Sequence, residues 1–501
     1  MLVSGPVAQE RQGIWVISVI GASLKKIRDD AHDASVSPDG SQIVFRDSIT
    51  RDISIMKADG SEARTLVKAE RGVYLFTPTW FQSGKRIAYA KFHVSNGHPM
   101  LELETRDVQG ANPVNLLSNP RLTDFLLVGD QRVIFSVREP PPNHYDSNLW
   151  ELRFDGNSGR PKGTPRRLTD WTGFYFGNPQ LTADGKRLVF LNGRQQSDVY
   201  MGELPANGGP FSAPQRLTLD DRIDWPSGWF ADSKNILLYS DRNGHFDIYR
   251  QNIGERRAET VASGAEEKWA PQLSPDGKWI LYLQGSRIVE GANPAPVKLM
   301  RAPVGGGPSE AVTEVRGTPL ILSSGDPTDS VGRFPSFRCP MHGSTCVLAE
   351  GEGNQLSFTA FDPTQGRKAE LTKVQAEPDF SAWDMSPDGN RIALSHFDFK
   401  TGDLQIISLS DHSKMKISSV PWTELVAVAW SADGKTLFLG SYSSRGTAVV
   451  GMPLSGTPKL LFKQANWDIF SLVPSPDGHH LAMGNVDSTA NAWTIPLFPS
   501  K

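Results

Sequence analysis

Residues 37–45, SPDGSQIVF, join a Ser-Pro-Asp-Gly turn to a short apolar strand, and this unit recurs along the chain. Clear copies are SPDGKWILY (274–282), SPDGNRIAL (386–394), SADGKTLFL (431–439) and SPDGHHLAM (475–483). Five weaker copies begin at residues 82, 128, 182, 231 and 339. The steps between successive turns are 44, 46, 55, 48, 44, 66, 46, 45 and 44 residues. A period in the forties with several strands per unit is typical of a β-propeller blade.

Each repeat predicts a blade of four strands. In residues 31–68 the strand QIVF follows the first turn, DISIM is the third strand, and ARTLV follows the second turn ADGSE. Proline presets the backbone for the turn, and glycine accepts the positive φ that other residues resist. The third-strand pattern recurs as far as NAWTI (491–495). We therefore predict an all-β fold, a β-propeller of about ten four-stranded blades.

Ten blades exceed the four to eight of one ordinary ring, so the sequence favours two propellers. The stretch 153–164, RFDGNSGRPKGT, is rich in glycine and polar residues and is predicted to be a linker. This places a partial propeller at 1–160, a half blade plus three blades, and a seven-bladed propeller at 161–501. Alternatives are one larger ring or a six-plus-four division at the 66-residue step. The partial propeller would be a truncated ring if the true start codon lies upstream.

Composition excludes several classes of partner. The net charge is −3 with both signs interspersed, so no basic surface for nucleic acid is expected. The longest apolar stretches are too short to span a bilayer, and no secretory signal is visible at the beginning of the sequence.

Motifs for catalysis are missing from the sequence. There is no GxSxG nucleophile elbow, no HExxH and no phosphate-binding GxxxxGK[ST]. Aspartates of the repeated turns, such as Asp39 and Asp276, are interpreted as turn residues that bond their own backbone. We therefore expect no enzyme, no cofactor and no metal. The alternative is a propeller lyase or hydrolase with a metal-assisted site, for which the candidate loop histidines are His93, His98, His144, His245 and His396.

Aromatic residues beside carboxylates predict a binding face in the loops between the fourth strand and the next first strand. Trp80, Trp229, Trp383 and Trp430 stand just before the turns and are predicted to be core residues. Six others are less well explained by packing and are predicted to face a ligand: Trp171, Tyr175, Trp225, Trp269, Trp422 and Trp467. Such a channel mouth could hold a protein segment, a sugar or another small ligand.

The two cysteines, Cys339 and Cys346, flank the six-residue loop PMHGST between two predicted strands. They could form a cross-strand disulfide or remain two buried thiols. A metal site completed by His342 would have only three of the usual four ligands.

The SPDG turns together with SDRNGHFDIYR (240–250) resemble the TolB-type propeller repeat, a relative of the WD repeat, over essentially the whole chain. The C-terminal half is also similar to the sensor regions of large bacterial winged-helix or Ser/Thr-kinase regulators, although no kinase or winged-helix motif occurs here. The resemblance implies a binding or sensor module that engages a protein, peptide or small ligand on its channel face. It also implies an extracytoplasmic location. A remnant of a longer signalling protein, with no ligand of its own, is the further alternative.

Overall fold

The structure is a computed structural model. It describes residues 2–6, 12–17, 24–70, 72–95, 98–140, 146–182, 184–206, 208–220, 222–285, 296–316, 334–352, 354–376, 381–396, 403–417, 422, 424–441, 446–465 and 467–497. Within these ranges the chain forms forty β-strands and no helix. Accordingly, no helix in this part of the chain could cross a membrane.

The chain forms two compact units, residues 1–194 with 490–501, and residues 195–489. Strands that begin in the first unit are β1 (Leu2–Pro6), β2 (Gln12–Ile17), β3 (Leu24–Asp29), β4 (Ala31–Val36), β5 (Gln42–Asp47), β6 (Ile53–Lys57), β7 (Arg64–Val67), β8 (Val73–Trp80), β9 (Arg86–Ser95), β10 (His98–Asp107), β11 (Val114–Ser118), β12 (Leu122–Val128), β13 (Arg132–Arg138), β14 (Ser147–Phe154), β15 (Pro161–Arg167), β16 (Tyr175–Leu181) and β17 (Arg187–Glu203).

Strands that begin in the second unit are β18 (Gln215–Arg216), β19 (Asp224–Trp229), β20 (Asn235–Ser240), β21 (Asp247–Asn252), β22 (Ala258–Ala262), β23 (Glu267–Leu273), β24 (Trp279–Gly285), β25 (Val297–Pro303), β26 (Glu310–Val315), β27 (Ser336–Arg338), β28 (Cys346–Glu352), β29 (Gln355–Asp362), β30 (Gly366–Gln375), β31 (Ser381–Met385), β32 (Arg391–His396), β33 (Asp403–Ser408), β34 (Lys414–Ile417), β35 (Leu425–Trp430), β36 (Thr436–Ser441), β37 (Thr447–Pro453), β38 (Lys459–Gln464), β39 (Asp468–Pro474) and β40 (His480–Pro496).

The described strands form ten antiparallel sheets, most of them four strands in chain order; one of the ten, which contains β17 and β40, is divided so that each unit holds part of it. The first unit holds β1–β3, β4–β7, β8–β11, β12–β15, and a sheet of β16 with the first half of β17 and the last part of β40. The second unit holds β19–β22, β23–β26, β27–β30, β31–β34 and β35–β38. Its sixth sheet has the order β39, the first part of β40, the second half of β17, and β18. Successive four-stranded sheets of this kind confirm the predicted all-β propeller architecture.

The repeated turn is held by its own side chains. In the first copy the Ser37 hydroxyl donates to Asp39 Oδ1 at 2.6 Å, and Asp39 Oδ1 also accepts the backbone N–H of Ser41 at 3.0 Å. Gly40 has a φ of 75°, a conformation that an L side chain resists. These bonds lower the pKa of Asp39 to about 2, the hydrogen bond from Ser37 being the largest cause. The turn aspartates thus have the structural role that the sequence predicted.

The second unit is a closed ring of six blades. The innermost strands β19, β23, β27, β31, β35 and β39 lie side by side, with β31 joined to β27 by the hydrogen bond from Trp383 Nε1 to Ser336 Oγ, and β39 returns to contact β19. At that seam the indole N–H of Trp229 donates to the carbonyl of Val473 at 3.0 Å. The last blade takes two strands from each end of the unit, which leaves no unpaired inner edge.

Trp80, Trp229, Trp383 and Trp430 are buried as predicted, and they fill the cores between neighbouring sheets.

The division into units differs from the predicted boundary at 160/161, and the ring of the second unit has six blades where seven were predicted for 161–501. Residues 153–164 belong to the hairpin of β14 and β15, which is part of a four-stranded sheet. The division falls at 194/195 and again at 489/490, inside the two 17-residue strands β17 and β40. Since each of these strands contributes to a sheet in both units, a search for a loop-like linker has no signal to find there.

Candidate binding channel

A channel runs through the centre of the six-bladed unit. Its volume is about 590 Å³, within the range of small-molecule and peptide sites, and all six innermost strands line it. One lining residue from each strand, in ring order, is Ser227, Gln272, Arg338, Asp384, Val428 and Ser471. Most of the wall is uncharged because the innermost strands of this unit line it mainly with small, apolar and aromatic residues.

One ion pair interrupts this wall. Arg338, the last residue of β27, donates from Nε to Asp384 Oδ1 at 2.9 Å and from Nη1 to the carbonyl of Phe337 at 2.9 Å. Among the described residues, Nη2 of Arg338 has no hydrogen-bond acceptor. The Arg338 side chain is 30% exposed. Its Nη2 hydrogens are therefore available to an oxygen atom in the channel.

The side chain of Asp384 is less exposed than that of Arg338, and both of its carboxylate oxygens accept hydrogen bonds from the protein. Its Oδ2 accepts the backbone N–H of Trp430 at 2.8 Å, which ties β31 to β35. Burial raises the pKa of Asp384 above its ordinary value, against the opposing charge of Arg338. Tyr239 also lines the channel, and burial raises the pKa of its phenol, so this residue stays a neutral donor.

The repeated turns surround one mouth of the channel. Three Ser-Pro-Asp-Gly copies line it with their prolines, Pro275, Pro387 and Pro476. In the blade β27–β30 the turn is replaced by a loop that a disulfide between Cys339 and Cys346 closes. His342 in this loop lines the same mouth and donates its backbone N–H to the carbonyl of Pro387 at 2.8 Å. The covalent bond stands where other blades have the serine–aspartate hydrogen bond.

Two of the six predicted ligand-facing aromatics border the channel, but both are core residues by packing. Trp225 is 1% exposed and its indole lies against the backbone of Gly484, where a Cβ would be 2.6 Å from the ring. Trp269 is 5% exposed and lies against Gly285 in the same way. Their rings consequently offer little free surface to a ligand.

The other four aromatics lie elsewhere. In the second unit, Trp422 packs on the core between β31–β34 and β35–β38, and Trp467 packs on Tyr200 with ring centroids 4.4 Å apart. In the first unit, Trp171 stacks on Phe176 at 5.1 Å and Tyr175 lies over Gly193. The structure does not gather the six residues at one site.

Sequence reasoning missed Arg338 and Asp384. Asp384 stands two residues before the turn serine, where sister blades have Gln272, Ala429 and Val473. A lone carboxylate at an inward position of the innermost strand was the available signal. No group of three or more histidine, cysteine, aspartate or glutamate side chains in the described ranges is arranged to hold a metal ion. Of the candidate histidines, His144 lies outside the described residues.

Comparisons with known proteins bear on the fold. No family model matches the chain. An uncharacterized protein of Agrobacterium fabrum is 29% identical over 193 residues, which is 38% of this chain and 55% of that protein, so the chain spans about half the length of this curated relative. Similar solved structures include TolB from Acinetobacter baumannii, with 17% identity, a TM-score of 0.24 and coverage of 68% of this chain and 65% of that chain. Together with the successive four-stranded sheets, these similarities confirm the predicted resemblance to TolB-type propellers for the fold.

The solved structures also include enzymes. A puromycin hydrolase mutant is 16% identical, with a TM-score of 0.37, and covers 72% of this chain and 57% of its own. An oligogalacturonate lyase in complex with manganese is 12% identical, with a TM-score of 0.30, and covers 70% and 83%. The prediction that the chain is not an enzyme was therefore wrong as stated, because its fold is shared with hydrolases and lyases and does not exclude catalysis.

Proposed function

We propose that the channel of residues 195–489 binds a protein segment or small ligand, and that Arg338 holds an oxygen atom of that ligand. The observation that carries the proposal is the guanidinium group of Arg338, which keeps two hydrogens without an acceptor among the described residues. A carbonyl or carboxylate oxygen of a ligand would satisfy them, and a charge-assisted bond of this kind is among the stronger polar contacts. In this role the propeller would act as a sensor or an interaction scaffold.

The pairing with Asp384 supports the proposal because it fixes the guanidinium plane. Nε and Nη1 are both engaged, so the side chain of Arg338 is already ordered before a ligand arrives. A preorganised donor costs less conformational entropy on binding than a free surface arginine. The channel volume of about 590 Å³ accommodates a few residues of extended chain or a molecule of similar size.

The test is a thermal-shift screen of the whole chain with short peptides and small carboxylates, followed by titration calorimetry on the hits. Arg338→Gln should weaken a channel ligand about tenfold or more, since a hydrogen bond to a charged group contributes about 1.5–3 kcal/mol. Arg250→Gln is the matched control, because Arg250 pairs with Glu259 in the same unit but away from the channel. A hit bound equally well by both variants would refute the role of Arg338.

Arg338→Gln also leaves Asp384 without its cation, which could unfold the blade. Arg338→Gln combined with Asp384→Asn removes the charge pair together and separates these effects. If this double variant keeps the thermal midpoint of the wild type and still loses the ligand, the loss belongs to the binding site.

A further inference from the structure

The last part of β40 forms the outer edge of a three-stranded sheet in the first unit. This sheet has the order β16, β17 (187–194) and β40 (490–496). In the four-stranded blades that the structure describes, the outer side of the third strand pairs with a fourth strand, as β6 pairs with β7. Along 490–496 no strand of the described residues pairs with the side of β40 that faces away from β17.

The register of β40 shows which backbone groups face this edge. Leu497 donates its N–H to the carbonyl of Lys186 at 2.8 Å, so the odd-numbered residues point their hydrogen-bonding groups toward β17. By alternation, Ala490, Ala492 and Thr494 point their N–H and C=O groups outward. The edge therefore offers a row of backbone donors and acceptors of the kind that pairs with another strand.

The exposure of these residues is unusual for a third strand. The sequence ANAWTI matches the third-strand pattern, whose members in other blades are buried, as in β6 and β37. Here residues 490–494 are all exposed, and Trp493 is 49% exposed. Its ring lies 6.1 Å from that of Phe174, which packs on the apolar cluster of Phe176 and Phe190.

The edge also lacks the usual protection. Natural edge strands carry charges, bulges or prolines that prevent pairing. Residues 490–497, ANAWTIPL, have no charged side chain, and the one proline lies at the end of the strand. An uncharged edge beside an exposed tryptophan is typical of a surface that another chain covers.

The blades that have a fourth strand indicate which kind of strand would fit beside β40. Their fourth strands place one buried aliphatic side chain against the blade core, such as Leu66 in β7, Leu217 beyond β18 and Leu461 in β38. Polar or charged residues alternate with it, as in RRLTD (166–170). A second copy of β40 does not match this pattern, because it would bring a tryptophan and no charge.

We propose that the edge of β40 at 490–496 binds an extended segment of another protein by β-strand addition, as an antiparallel fourth strand. Backbone bonds to Ala490, Ala492 and Thr494 would hold the segment, and a leucine or valine of the segment would cover the exposed ring of Trp493. Strand addition of this kind takes its affinity from main-chain bonds and its specificity from alternate side chains. The proposal is independent of the ligand in the channel.

The test uses the whole chain against a displayed library of six- to eight-residue segments in which leucine or valine alternates with polar residues. Ala492→Pro removes one outward N–H without breaking a bond to β17, and proline is tolerated on the solvent side of an edge strand. Ala492→Ser keeps that N–H and is the matched control. Selected segments should lose about tenfold or more in affinity on Ala492→Pro and keep it on Ala492→Ser.

Three outcomes would overturn the proposal. These are a library that yields no binder, segments that bind both variants equally, and a wild-type dimer in sedimentation that Ala492→Pro dissociates. The last result would assign the edge to a second copy of the chain. As a check on folding, the thermal midpoints of the two variants should agree with that of the wild type.

Discussion

The packing of Trp225 on Gly484 gives a sharp test of whether this tryptophan belongs to the core or to a ligand. Trp225 is 1% exposed at the seam where the last blade of the ring meets the first. Truncation of a buried tryptophan to alanine costs about 3–5 kcal/mol, so Trp225→Ala should lower the free energy of unfolding by that amount. If Trp225 only faced a ligand, its truncation would lower the free energy of unfolding far less.

Trp225→Phe should be much milder for a reason specific to this site. The indole N–H of Trp225 is buried with no acceptor among the described residues. Replacing indole by phenyl buries less apolar area, which loses about 1 kcal/mol of hydrophobic stabilisation. It also removes an unsatisfied hydrogen-bond donor, whose burial costs about 1–3 kcal/mol. The two contributions nearly cancel, so the phenylalanine variant should be close to the wild type in stability.

Gly484→Ala tests the contact from the other side. Its Cβ would lie 2.6 Å and 2.8 Å from two carbons of the indole, and overpacking of this kind costs about 1–3 kcal/mol. In the Trp225→Ala background the clash is gone, so the same change should cost almost nothing. The coupling energy of the double-mutant cycle should be about 1–3 kcal/mol. Gly478→Ala, at a φ of 73° in open space, should instead cost the same in both backgrounds.

The assay is urea unfolding of each variant, followed by far-ultraviolet circular dichroism and analysed for the transition that the Trp225 variants shift. Additive effects of Trp225→Ala and Gly484→Ala, or a Trp225→Ala cost below about 1 kcal/mol, would refute the packing argument. Either result would instead favour the predicted ligand-facing role of Trp225.

Three further predictions follow from the fold. Residues 195–489 expressed alone should unfold in one cooperative transition because their ring is closed; if 161–501 folds and 195–489 does not, the boundary at 160/161 is correct. Burial raises the pKa of Asp198 to about 6 against the charge of Arg216. The folded state therefore binds more protons than the unfolded state, so stability should fall from about pH 4 to about pH 6, and Asp198→Asn should remove that slope in pH-dependent urea unfolding. Loss of the Cys339–Cys346 bond, which closes eight residues, should lower stability by roughly 2.5 kcal/mol on the chain-entropy account, measured by thermal unfolding of the double serine variant with and without reductant.

Local features of the sequence were sufficient to predict the blades. The turn of residues 37–40 depends on a proline, a glycine and two side-chain bonds within five residues, so its repetition marks each blade directly. The four buried tryptophans that stand just before a turn were an equally local signal. The loop pattern around Trp225 did not reveal that β19 begins at Asp224, so that the tryptophan lies in a strand and packs across the seam.

Ring closure could not be predicted by spacing, because it depends on pairing between distant strands. The second half of β17 lies beside the first part of β40, almost three hundred residues later in the chain. A count of turns gives the number of blades but carries no information on which terminal strands complete the same sheet. A linker search also assumes that units are joined by loops, whereas here two continuous strands pass from one unit to the other.

The blade β27–β30 departs from the repeat in three respects, and two of the departing features line the channel. It follows the 66-residue step, it has a disulfide loop in place of the Ser-Pro-Asp-Gly turn, and it supplies Arg338. The repeat itself is explained by turn and strand stability, so conformity to it says nothing about a ligand. Departures that weaken local consistency tend to mark functional sites. Arg338 puts a charge into an otherwise mostly uncharged channel wall, and the adjacent disulfide replaces the hydrogen bonds that this blade lost. On this argument the irregular blade, more than the regular aromatic loops, is where ligand recognition should be sought.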